Sequence, residues 1–323
     1  LFTKKLHIIL FFILLFPFLS QQDVYADDRD SIADTRLALY KKTEAITQIP
    51  WYYLAAIDQF ERNIATDVSE DQVISIQISD DQWFGPGNSS KLMYNEMIAL
   101  FDGLGQDASG DGKADPEDAE DVLYTMANIL LTQGQTADDI KIALFNYYQR
   151  DLNVQTIMNT AKVFKKFKSI DLIKRDFPVA IEHNYSYRST WGDRRGFGGV
   201  RIHEGTDIFA SYGAPIKSTT YGVVEMMGWN LYGGWRIGIR DIHNIYHYYG
   251  HLNGYEEGLK VGQVVQPGDE LGSVGSSGYG PPGTSGKFPP HLHYGMYKDN
   301  GYSEWSFDPY PYLKKWEQMA KEK

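Results

Sequence analysis

The sequence predicts an α+β protein of two units, an all-α unit followed by a β-rich unit built on an antiparallel sheet. Three observations carry this. Between residues 27 and 165 apolar side chains recur at helical spacing. Beyond about residue 184 the pattern changes to Gly, Tyr and Val in short alternating runs with few helical signals. A chain of 323 residues is long enough for two cores.

Taken in order, residues 1–26 read as a signal peptide. Lys4, Lys5 and His7 precede an apolar run over residues 8–16, Pro17 breaks it, and Val24, Tyr25 and Ala26 offer a small-residue cleavage site. The run is short for a spanning helix, which needs about 20 residues, so membrane contact is expected only in transit. The helical unit, 27–165, begins with an amphipathic stretch over 31–49, with Leu37, Tyr40 and Ile46 among its apolar positions. Pro50 then starts a second helix running to about Asn63, since proline is favoured at a helix start. Further helices are expected over 118–131, 137–148 and 154–165. A linker follows at 166–183, then the β-rich unit at 184–316 and a tail at 317–323. There is no internal repeat and no low-complexity segment.

Composition removes several functions. Without cysteine there is no disulfide, no zinc–thiolate site and no thiol nucleophile. A net charge of −11 argues against nucleic acid as a partner. A cysteine-free exported chain fits the extracellular space or cell wall of a Gram-positive bacterium.

Two short motifs carry the chemistry. His203 and Asp207 form an H-x-x-x-D, and His291 and His293 form an H-x-H. A zinc ion that performs hydrolysis takes three N or O ligands and keeps one position open for water. His203, Asp207 and one histidine of the second motif make that set and leave the other histidine free for protons. Residues i and i+2 of a strand share a face. The β-prone flanks Tyr294 and Tyr297 therefore turn both imidazoles into one cleft. His251, in Tyr249-Gly250-His251-Leu252, is a second proton-handling histidine, since imidazole titrates near pH 6.5.

These motifs, in this order, resemble the lysostaphin/LytM-type zinc endopeptidases of bacterial cell walls. Thr190-Trp191-Gly192, Val261-Gly262-Gln263-Val264-Val265, Pro267-Gly268 and Gly272-Ser273-Val274-Gly275 add to the likeness, which covers about residues 183–312. The resemblance implies zinc on His203, Asp207 and His293, and catalytic roles for His251 and His291. It implies peptidoglycan as substrate and hydrolysis of a peptide bond in it. The layout also resembles the sporulation-linked L-Ala–D-Glu endopeptidases, although L-Ala–D-Glu, D-Ala–diaminopimelate and cross-bridge bonds all stay open. Residues 278–290 are longer than the family's turn and read as a groove wall. A non-catalytic wall-binding scaffold is the competing reading, and the presence of all five positions counts against it.

The helical unit resembles lysozyme-like lytic transglycosylases. The stretch from Ile49 to Glu61 is similar to their catalytic-glutamate helix, which makes Glu61 a second active-site residue cutting glycan strands. Arg62 and residues 146–151 depart from the family pattern and favour the other reading, a solvated Glu61 in a binding or spacer unit. Asp107, Ser109, Asp111, Asp115 and Asp118 have the spacing of an EF-hand-like loop, with Gly112 at the turn, and are expected to hold a structural calcium. Asp118 replaces the usual bidentate Glu.

Some residues are expected to be decoys. His243, His247 and His251 are four apart, but their β-branched and aromatic surroundings make them turn and strand residues. By strand parity His247 is expected near the edge of the site. His183 and His7 are expected to be inert. Trp191, Trp229, Tyr232 and Trp235 divide between sheet core and a substrate groove. Arg195 is a candidate contact to a substrate carboxylate.

Overall fold

In this computed structural model the described residues are 21–66, 69, 72–196 and 199–322, with side chains from residue 32 onward. The apolar run of the expected signal peptide lies outside them. Among the described residues no helix is long and apolar enough to cross a membrane.

Among the described residues seven helices come first: α1 (Gln21–Thr47), α2 (Trp51–Ile64), α3 (Asp80–Phe84), α4 (Asn95–Leu100), α5 (Ala119–Leu131), α6 (Ala137–Tyr148) and α7 (Asp151–Phe167). Their boundaries follow local chemistry. Gln48 takes a left-handed φ of 63° after α1, and Pro50 stands at the N-cap of α2. Asp118 caps α5 by accepting from the Glu120 and Asp121 amides. Thr136 and Asp139 close a reciprocal capping box on α6. The short α3 and α4 escape the sequence reading because a turn or so of helix shows no periodicity. Trp83, Phe60, Leu54, Leu123 and Phe164 fill the core between these helices.

Twelve strands follow among the described residues: β1 (Tyr185–Tyr187), β2 (Arg194–Arg195), β3 (Arg201–Ile202), β4 (Thr206–Ala210), β5 (Pro215–Lys217), β6 (Gly222–Asn230), β7 (Gly234–Asp241), β8 (Ile245–Tyr255), β9 (Val264–Val265), β10 (Glu270–Val274), β11 (His291–Asp299) and β12 (Glu304–Phe307). Ten make one antiparallel sheet in the order β1-β4-β11-β8-β7-β6-β9, with β12 on β11 and β10 bridging β5 and β8. β2 and β3 pair separately. Its core holds Ile208, Ile237, Tyr249, Leu252, Leu292 and Tyr294.

The chain then forms α8 (Tyr310–Lys321), which buries Leu313, Trp316 and Glu317. The expected tail at 317–323 therefore begins inside a packed helix. Glu317 accepts from Tyr185 and Tyr187 at 2.8 and 2.5 Å, tying α8 to β1.

The helices and the sheet are packed together. Tyr221, Val223 and Ile242 belong to the helical core cluster. Arg150 forks onto Asp299 with two 2.7 Å bonds. Asn153 donates to the Gly301 carbonyl at 3.0 Å, and Asn63 to that of Ile242 at 2.9 Å. The segment expected as a linker is also packed: Leu172 joins the first core, and Phe177 and Val179 the second.

Candidate metal centre and its cleft

The sheet register builds the metal group. In the β4–β11 pair, His293 stands opposite Asp207, and His291 opposite Phe209. His291 and His293 share one face of β11, while Leu292 and Tyr294 fill the core on the other. His203 joins from the turn between β3 and β4, held by its amide on the Asp193 carbonyl at 2.8 Å. His203 Nε2 lies 3.0 Å from Asp207 Oδ1 and 2.8 Å from His293 Nδ1, and His293 Nδ1 lies 3.2 Å from Asp207 Oδ1. A tetrahedral site with ligands at ~2.0–2.1 Å has edges of roughly 3.3 Å, so this triangle is close to the right size. Among the described residues these three form the only group of three or more His, Cys, Asp or Glu placed to hold a metal ion.

Surrounding groups fix the ligands. His203 Nδ1 sits 2.8 Å from the Thr190 carbonyl, which calls for a proton there and leaves the Nε2 lone pair inward. Thr190 also accepts from the Asp207 amide at 3.0 Å. Asp207 divides its oxygens, with Oδ1 toward the histidines and Oδ2 on Arg195 at 2.5 Å. Burial would raise the Asp207 pKa, but hydrogen bonds from His203 and His293 hold it well below the usual carboxylate range. Gly205 has no room for a side chain, since a Cβ there would lie 2.7 Å from His293 Cε1.

Two more histidines face the group. The rings of His251 and His291 are 4.7 Å apart, and His291 Nε2 lies 3.7 Å from Asp207 Oδ1. Each Nδ1 meets a backbone carbonyl, His251 that of Ser277 at 2.7 Å and His291 that of Pro289 at 2.8 Å. Each Nε2 is thereby left as the lone-pair atom. Burial, with His291 and His293 nearby, pushes the His251 pKa down to about 3, and burial also lowers that of His291. His251 has a φ of +63°, uncommon for a residue with a Cβ. The irregularity shifts the phase of β8. Tyr249 and Leu252 are both buried in the core, three positions apart, so His251 between them can line the cleft.

That phase shift corrects the expectation for His247. It lies deep in the core, 2.6 Å from the Tyr294 hydroxyl and 3.2 Å from Asp241 Oδ2, and lines no part of the cleft. His243 sits in the turn between β7 and β8, as expected.

The cleft over the metal group measures about 550 Å³. Arg195, Arg201 and Arg236 line it together with His203, Asp207, His251, His291 and His293. Tyr279 and Phe288, from the long 278–290 segment, form part of its wall. Of the four aromatic residues singled out, Tyr232 lines the cleft, while Trp229 and Trp235 pack edge-to-face on each other. The sequence reading missed Arg201, Arg236 and Tyr248. An isolated arginine or tyrosine in a strand carries no pattern that marks it as a cleft residue.

The helical unit departs from two readings. Glu61 is half-buried and partnered rather than freely solvated: it accepts from the Tyr148 hydroxyl at 2.6 Å and borders a separate cleft of about 970 Å³. Burial pushes its pKa up to about 7, against the Tyr148 hydrogen bond. The expected calcium loop finds no support. Asp107 accepts from the Gly110 and Gly112 amides, Asp111 from Lys113, Asp115 from Glu117, and Asp118 caps α5. Ser109 gives its amide to the buried Asp121. The loop is organised by hydrogen bonds between carboxylates and backbone.

The sequence pattern of peptidase family M23 matches residues 201–306. The chain is 59% identical over 299 residues to the L-Ala–D-Glu endopeptidase of Bacillus subtilis (strain 168), covering 91% of this chain and 92% of that protein. The chain belongs to peptidase family M23. This M23 peptidase is also 31% identical over 141 residues to the lysostaphin of Staphylococcus staphylolyticus, covering 41% of this chain and 28% of that one. Among solved structures it is similar to the catalytic domain of lysostaphin from Staphylococcus simulans, at 31% identity and a TM-score of 0.32, covering 41% of this chain and 93% of that one. The lysostaphin-type resemblance is borne out. The lysozyme-like identity of the helical region is not shown.

Proposed function

We propose that this M23 peptidase is a zinc-dependent endopeptidase of peptidoglycan that hydrolyses the L-Ala–D-Glu bond. The observation that carries this is the identity to an L-Ala–D-Glu endopeptidase over nine-tenths of both chains. The converged N, N, O donor set, with its outer partners, supports zinc in particular. His203, Asp207 and His293 would hold the ion, whose chemistry when bound would be Lewis acidity toward water and the scissile carbonyl. His251 and His291 work on protons. Each presents an Nε2 lone pair to the cleft, so one accepts a proton from the attacking water, and that same proton passes, directly or through the other histidine, to the leaving nitrogen. The C–N bond breaks, and a carboxylate and an amine leave.

Export through a cleaved signal peptide and action in the wall of a Gram-positive bacterium, including spore formation, belong to the same reading. Digestion of purified peptidoglycan, with and without a chelator, tests the function. Chelator-sensitive release of new D-Glu amino termini, read by mass spectrometry, is expected. Digestion indifferent to the chelator refutes the metal mechanism, and new termini at another residue refute the bond.

A second reading concerns the helical unit. A carboxyl whose pKa is raised to about 7 and that borders a large cleft is the kind of group that donates a proton to a glycosidic oxygen, and Glu61 is such a group. Glycan cutting through Glu61 predicts new reducing or anhydro ends in the same digest, lost in Glu61→Gln. Their absence from the wild-type digest rules it out.

A further inference from the structure

We infer that Arg201 and Arg236 form a carboxylate-reading subsite that selects substrates with a free acid on the residue supplying the leaving nitrogen. The inference rests on the peptidase reading above and adds the substrate feature that the cleft recognises.

It starts from an imbalance of charge. Among the described side chains, every other part-buried or buried arginine has a carboxylate partner: Arg36 and Arg62 share Asp58, Arg150 has Asp299, Arg175 has Asp241, Arg195 has Asp207, and Arg240 has Glu225 and Glu304. Arg201 and Arg236 have none within 4.0 Å, although the chain as a whole carries a charge of −11. Both are half-buried, and the Nε atom of each is buried without a hydrogen-bond partner. A cation withdrawn from water without a counter-ion is costly, so an anion is the missing partner.

Their placement says where that anion sits. Both arginines line the cleft that contains the metal group. The Arg201 guanidinium lies 5.0 Å over the Tyr232 ring. The Arg236 guanidinium acts electrostatically on the Tyr248 hydroxyl, and the Tyr248 ring packs edge-on to His293 at 5.6 Å. Gly233, next to Tyr232, accepts from the His251 amide at 2.7 Å. Within this one cleft Arg201 is thus linked through Tyr232 and the Gly233 backbone to the strand of His251, and Arg236 through Tyr248 to His293. The third arginine, Arg195, is engaged by Asp207. The other cleft acid, exposed Glu204, is met by Tyr297 rather than by an arginine.

A glutamate on the leaving side fits this position. Whichever of its carboxyls continues the peptide, the other stays free within a few bonds of the leaving nitrogen. A planar guanidinium reads such a group by paired hydrogen bonds, and a carboxamide cannot replace it without loss.

Two synthetic peptides test this, alike in an L-Ala–D-Glu bond and differing only in whether the free carboxyl is acid or amide. The zinc-loaded full chain is expected to cleave the acid with kcat/KM about 10- to 100-fold higher, the range of a charge-assisted hydrogen bond. Arg201→Gln and Arg236→Gln should each raise KM for the acid by a similar factor, move the acid-to-amide ratio toward one and leave bound zinc unchanged. Arg236→Lys should recover only part of the preference. Equal cleavage of both peptides by the wild type, or equal losses on both in the variants, overturns the subsite. Should neither peptide be cleaved, the bond assignment fails on its own. Calorimetric titration of the same peptides then decides the subsite, with preference for the acid supporting it and no preference overturning it.

Discussion

At the level of single residues, the five site positions divide by what their nitrogens and oxygens face. His293 contributes to the ligand triangle, whereas His291 faces it from 3.7 Å. Their alanine variants should therefore differ. His293→Ala should lose both bound zinc and activity, while His291→Ala should keep zinc, measured by elemental analysis, and lose about 10²- to 10⁴-fold in kcat. Equal zinc loss in both would reverse the assignment. Gly205→Ala is a sharper probe, because the added methyl meets His293 and the Tyr294 carbonyl without touching a ligand bond. Zinc affinity should fall at least about tenfold, as for other groups that orient metal ligands. Glu61 titrates in the opposite sense to a paired carboxylate. Its folded pKa, about 7, exceeds the unfolded 4.5, so the native state holds the proton more tightly. Stability from this group is unaffected below about pH 4.5, falls as pH rises toward 7 and stays reduced above that. Glu61→Gln should thus be neutral near pH 4 and more stable than wild type by about 2 kcal/mol at pH 8, in urea melts at the two pH values.

At the level of elements, what was legible is what periodicity and capping encode. Asp118, Thr136 and Pro50 mark helix starts because their chemistry is local. The two histidines of β11 share a face because strand alternation is also local. What depends on a break in alternation was illegible. The irregular backbone at His251 turns that side chain to the cleft and sends His247 into the core, and no residue type around it announces a non-glycine at positive φ. The 107–118 loop misled for a related reason. The oxygens at calcium-loop spacing are the same oxygens that make Asx turns and helix caps, and the buried Asp121, outside the motif, gathers three loop amides. Asp121→Ala should accordingly destabilise the protein by about 2–4 kcal/mol in a denaturant melt, with added calcium unable to restore it. Recovery of the wild-type midpoint by calcium would return the loop to a metal site.

At the level of the whole molecule, the question is whether helices and sheet stand or fall together. The helical cluster takes in Tyr221, Val223 and Ile242 from the β region, and the bidentate Arg150–Asp299 pair has an acid that is 1% exposed. These contacts couple the regions more tightly than a solvated linker would. Metal binding offers a way to measure that coupling. A ligand that binds only the folded state adds RT ln(1 + [L]/Kd), about 4 kcal/mol at a thousandfold excess over Kd. The three residues that would hold zinc all lie in the β region, so in a molecule of two independent units a chelator would lower the melting point of that region and spare the helices. In a coupled molecule the helical signal at 222 nm and the tryptophan fluorescence should shift to lower temperature together. Arg150→Ala leaves Asp299 with only part of its partners and should weaken the coupling, so that chelation separates the two transitions. Coincident wild-type transitions that split in Arg150→Ala would locate the coupling at this pair. A wild-type helical transition indifferent to the chelator would mean that the shared apolar cluster does not bind the two regions into one cooperative unit.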